Sequence, residues 1–118
     1  MATEHIYTVS SHDDADAGYD HCVIGSYRTM ERAVAECVDY IFERLDVMHD
    51  LAWGMANDEN HEDAGKFFGN DDDGYYCVND ESGLRDYLSN ELGLLQCYYV
   101  FDGTDAYHFD IDKNDLED

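Results

Sequence analysis

Between Ala33 and Met48 apolar side chains return at intervals of three and four: Ala33, Val34, Cys37, Val38, Ile41, Phe42, Leu45 and Met48. They form one wide stripe along a helix, while Arg32, Glu36, Asp39, Glu43 and Arg44 fall outside it. A helix of this kind needs an apolar surface to lie on, so the rest of the chain must supply a sheet or another helix. Its start is also locally encoded. Thr29 is placed to cap the N-terminus and Glu31 lies in the first turn, where the helix dipole favours an acid; Arg32 at the third helical position leaves the reciprocal capping box incomplete.

The flanking segments supply strands. "HIYTVSS", His5 to Ser11, is β-branched and aromatic and predicts a strand that ends in an acidic loop, "HDDADAGYD". "HCVIGSY" predicts a second strand, with Gly25 marking a bulge or a close backbone approach. After the helix, "DLAWGMAN" either continues it or forms a second short helix beyond a bend near Asp50, and "DENHEDAG" predicts a loop. "KFF" and "YYCVN" flank "GNDDDG" as a hairpin or as two short strands around an acidic turn. Asp80 or Ser82 caps the next helix, whose apolar face is Leu84, Tyr87, Leu88 and Leu92 and whose stop is Gly93. Finally, "LLQCYYVF" and "AYHFDID" bracket "DGTD" as a C-terminal hairpin, with Tyr107, Phe109 and Ile111 turned to the core and His108, Asp110 and Asp112 to solvent.

A chain of 118 residues fits one core, so residues 1–118 are expected to form a single α+β domain. The expected architecture is a four- or five-stranded, mostly antiparallel sheet with two or three helices packed on one face. No apolar run reaches the ~20 residues that span a bilayer, and "MATEHIYTVSSHDD" has no basic region or long apolar region, so an unsecreted, intracellular protein of cytoplasm or nucleus is expected. Cys22, Cys37, Cys77 and Cys97 are widely spaced, show no CxxC pattern and fall in apolar or periodic segments, which predicts reduced, mostly buried thiols.

Charge sets the functional class. Twenty Asp and nine Glu face four Arg and two Lys, for a net charge of −23. Direct binding to nucleic acid or to an anionic membrane needs a basic footprint and is disfavoured, whereas attraction to basic partners is favoured. Site chemistry is weak by comparison. In "GNDDDGYYCVNDE" the alignment of Gly74 with the turn glycine of a calcium loop puts Gly69 at the first ligand position and Asp80 at the last, so no cation site is expected; "DIDKND" has Asp where that glycine should stand and no twelfth residue follows it in the sequence. The six histidines and four cysteines lack the short repeated spacing of a zinc site. Ser10 and Ser11 beside His12 are not embedded in a nucleophile elbow, and no phosphate-cradling glycine loop occurs. An enzyme would instead set His12 or His108 beside converging acids in a concave pocket. The expectation is a non-enzymatic protein without cofactor or metal.

Acid occurs instead in local clusters along the whole chain: Asp13, Asp14, Asp16 and Asp20; Asp58, Glu59, Glu62 and Asp63; Asp71, Asp72 and Asp73; Asp102, Asp105, Asp110 and Asp112. Carboxylates held at many heights on a folded surface imitate phosphate rows, and short Asp side chains lose less entropy than Glu when fixed by a partner. The leading expectation is therefore a basic protein partner, such as a nucleic-acid-binding protein, engaged by a nucleic-acid mimic or inhibitor. A structural component of a particle or complex, held by exposed Tyr and Trp53, is the alternative; it predicts salt-insensitive association and homo-oligomers. Acid that serves solvation alone, without a charge-based partner, is the third reading.

In Val9, His12, Val23, Gly25, Tyr27, Thr29, Glu31, Ala33 and Val34, and in the final "YHFDIDKNDLED", the chain resembles small uncharacterised acidic α+β proteins of large DNA viruses, phages and bacteria. The resemblance covers about half of the chain and leaves out residues 49–95. It implies a compact α+β fold and a viral source, and carries no catalytic residues to transfer.

Overall fold

Thr29 caps the first helix, its Oγ1 accepting from the Arg32 amide at 3.2 Å while its carbonyl accepts from the Ala33 amide. In the computed structural model, which describes residues 5–15, 18–47, 49–101 and 106–115, this helix is α1, Met30–Val47. Ala33, Cys37, Val38, Ile41 and Leu45 of the stripe are buried; Met48 lies outside the described residues. A second short helix follows, α2, His49–Asn57.

The stripe rests on a four-stranded antiparallel sheet built from two hairpins. Strand β1, His5–Ala15, pairs with β2, Gly18–Tyr27; strand β5, Cys97–Phe101, pairs with β6, Ala106–Asp115. The hairpins meet through β1 and β6, giving the order β2-β1-β6-β5. The first and last strands are thus the two central ones. Opposite Val9 and Ser10 the register jumps from Gly25 to Val23, so Ile24 is the extra residue of the bulge expected around Gly25. Tyr107, Phe109 and Ile111 are buried and His108, Asp110 and Asp112 lie on the other face, as their alternation predicts.

Between the hairpins, β3, Phe68–Asn70, and β4, Tyr76–Val78, form a separate two-stranded ladder around the acidic turn. Helix α3, Glu81–Leu95, follows, with Asp80 as N-cap: its carboxylate accepts from the Gly83 amide at 3.0 Å. Helix α1 packs on β1, β2 and β6, α3 on α1 and β5, and α2 on α1, β4 and β5. Leu51, Met55, Leu84, Leu88, Leu92, Val100 and Tyr98 complete the core at their junction.

Four expectations need correction. "HDDADAGYD" is not a loop: apart from residues 16 and 17, which are not described, it is strand, because β1 is a central strand whose backbone is paired on both sides through Asp14. "DENHEDAG" is, from Glu59 onward, part of a 3-10 helix, Glu59–Phe67, that packs on α2 and α3 and buries Ala64. Gly93 does not stop α3. The helix runs on through Leu94 and Leu95 to a left-handed Gln96 (φ 61°), whose amide donates to the Leu92 carbonyl at 2.9 Å, so β5 begins only at Cys97. Lastly, of the free thiols Cys37, Cys77 and Cys97, only Cys37 is buried, since the other two sit on exposed strand positions.

Candidate functional site

Each acidic cluster is held by a different local device. On β1 and β2 the register sets Asp13 opposite Asp20 and Asp14 opposite Tyr19, and on its other side β1 sets Asp14 opposite Ala106. Their backbone is therefore fixed in a ladder. Asp16, Asp102 and Asp105 lie outside the described residues.

The β3–β4 turn is built by its own acid. Asp71 Oδ1 accepts from the amides of Asp73 and Tyr75, both at 2.9 Å, while Gly74 takes the positive φ (89°) that closes the turn. Asp72 and Asp73 are consequently displayed on a hydrogen-bonded corner, both exposed. Asp71 Oδ1 is thus committed to the turn itself. Among the described residues no group of His, Cys, Asp and Glu is arranged to hold a metal ion.

In the third cluster Glu62 and Asp63 are exposed, and Asp63 pairs with Lys66 at 2.9 Å; Glu59 lies in the same 3-10 helix. Asp58 does not belong to an exposed cluster. At 9% exposure it is buried where the chain reverses from α2 into the 3-10 helix, close enough to Tyr87 and Tyr98 for its charge to act on both phenols. Burial first, then the surrounding negative groups, pushes the Tyr87 phenol up to about 12 and that of Tyr98 upward as well.

On the sheet face turned away from α1, Asp112 is exposed, and Asp110 is half-buried with its Oδ2 3.4 Å from His12 Nε2. His12 and His108 are register partners with rings 6.3 Å apart, and Tyr99 lies 4.5 Å from His108. The two histidines and an acid are thus brought together, but on a sheet face.

The concave feature is elsewhere. A cleft of about 560 Å³ opens between α1, the start of α2, the β3–β4 hairpin and the first turns of α3. Its apolar floor includes Phe42, Leu45, Phe68, Tyr76 and Val78, and its rim carries Asp39, Glu43, Asp46, Asp71 and Glu81. Arg85 crosses one side: Nη1 is 2.7 Å from Asp39 Oδ1, Nε is 3.2 Å from Glu81 Oε1, and Cζ lies 4.4 Å from the centre of the Phe42 ring. The hydrogen bond to Asp39, ahead of that to Glu81, raises its basicity further. None of the α1 acids was in the clusters read from sequence. Their signal is the spacing of Asp39, Glu43 and Asp46 at four and three, which puts them on one helix edge.

Comparison with protein-family models, with curated proteins and with solved structures finds no match. Among the described residues no helix is long and apolar enough to cross a membrane.

Proposed function

We propose that this protein acts by binding, presenting its acidic surface to a basic protein in the manner of a nucleic-acid mimic or inhibitor. The observation that supports this reading is charge density on a fixed frame. The structure extends 56 × 34 × 22 Å, and the chain carries a net −23. A duplex 56 Å long carries about 33 phosphate charges at one per ~1.7 Å, so the protein reaches roughly two thirds of that density. Its carboxylates sit on ladders, helices and a hydrogen-bonded turn, so little order remains to be lost when a partner neutralises them. Three of the six basic residues, Arg32, Lys66 and Arg85, are paired locally with Glu36, Asp63 and Asp39.

Binding to a basic DNA-binding protein should weaken steeply as salt rises, and a DNA duplex should compete for the same surface. No single Asp→Asn change on that surface should abolish it. Binding retained at about 1 M salt, where the Debye length is about 3 Å, would overturn the reading. A second reading draws on Leu94 and Leu95, which end α3 at 80% and 58% exposure: an apolar contact within a larger assembly. It predicts self-association on sizing that salt does not disperse.

A further inference from the structure

We infer that the cleft between α1, α3 and the β3–β4 hairpin seats an arginine side chain of the basic partner; this deepens the reading above and rests on it. The protein already shows how it holds a guanidinium there. Arg85 lays its planar group against the Phe42 ring and turns its edge to Asp39 and Glu81. Arg85 and His49 line the cleft too, and elsewhere in it the same elements recur without a guanidinium paired to them: aromatic rings at Phe68 and Tyr76, and carboxylates at Glu43 and Asp46. Among the described residues Glu43 and Asp46 make no hydrogen bond or ion pair.

Charge complementarity fixes the sign of the occupant. Arg85 pairs with two of the five rim acids, Asp39 and Glu81, while Glu43 and Asp46 stand three apart on one helix, a like-charge spacing that a bound cation would relieve. Shape and polarity fix its kind. A hard metal ion takes a cage of oxygens, which an apolar floor does not provide. A long apolar stem ending in a cation does match a floor of rings beneath a rim of carboxylates. Arginine suits it better than lysine, because a planar fork meets two carboxylates at once and stacks on an aromatic face. About 560 Å³ leaves room for the side chain and its flanking backbone.

The test uses the full chain with blocked oligoarginine and oligolysine peptides of equal length, followed by calorimetry and amide NMR at low salt. Two double variants carry the same change in net charge: E43Q/D46N in the cleft and D50N/D86N outside it. All four positions are exposed, and circular dichroism confirms that each variant is folded. Oligoarginine is expected to bind more tightly than oligolysine and to shift amides of the cleft. E43Q/D46N should weaken it by about tenfold, and D50N/D86N distinctly less. Equal losses in the two double variants, with shifts spread over the surface, would overturn the cleft and leave the acidic-surface reading intact. Oligolysine binding as tight as oligoarginine would overturn the assignment to arginine. Failure of both peptides to bind would overturn the acidic-surface reading and this inference with it.

Discussion

At Gly93 and Gln96 the end of α3 carries the wrong residue at each of two positions. Gly93 sits in the helix with open space where a Cβ would point, so it contributes only backbone freedom to the unfolded chain. Gln96 takes the left-handed conformation that glycine adopts without strain. Gly93→Ala and Gln96→Gly are each expected to stabilise the protein by about 0.5–1 kcal/mol, read as a rise in urea midpoint at unchanged slope. If Gly93 were the stop, its alanine variant would destabilise instead. At Cys37 burial, with the Asp110 charge second, pushes the thiol up to about 12. Iodoacetamide followed by peptide mapping should therefore modify the exposed Cys77 and Cys97 in the native protein, while Cys37 reacts only after unfolding.

Elements were legible in proportion to how locally they are determined. The α1 stripe, the Thr29 and Asp80 caps, the Gly25 bulge and the alternation of Tyr107, Phe109 and Ile111 each follow from a few neighbouring residues, and each appears as expected. The extent of β1 does not. Residues with turn and loop propensity continue as strand because β2 and β6 pair with them from both sides, a tertiary effect that overrides propensity. The candidate site was legible only in part. Clusters counted along the chain found the β3–β4 turn but also included Asp58, which is buried, and they missed the α1 edge, whose acids are neighbours in space and not in sequence. Packing of the elements is uneven in consequence. Leu88, fully buried where α3 meets the core, should cost about 2–5 kcal/mol as Leu88→Ala, whereas exposed Leu94→Ala should stay within about 0.5 kcal/mol in chemical denaturation.

For the molecule as a whole, proton and salt linkages act in different directions. Below about pH 9 the folded and unfolded chains both keep the Cys37 proton, and this group leaves stability unchanged. Above that the unfolded thiol ionises while the folded one holds its proton until about 12, and the raised phenols of Tyr87 and Tyr98 act in the same sense. The denaturation midpoint is expected to fall as pH rises from about 9 to 12. Salt works on the self-repulsion of 29 acids against six basic residues, so adding it should raise the melting temperature. Lost binding at high salt would then come from screening of the interface and not from unfolding of the protein.

The pairing of β1 with β6 also governs when this molecule can form. His5 meets Asp115, and nearly every residue of one terminal strand is matched by one of the other, so the centre of the sheet closes a loop of about the whole chain length. During synthesis β1 emerges before the other described elements and waits for β6, the last of them to be made. The helices can nucleate early, but the surface on which α1 comes to rest is incomplete until residues 106–115 have emerged. Folding is therefore late and slow for a chain of this size, in keeping with its dependence on distant contacts. The same closure sets His5 and Asp115 side by side, so the protein should tolerate a short linker joining them and a new opening at the exposed Asp72–Asp73 corner.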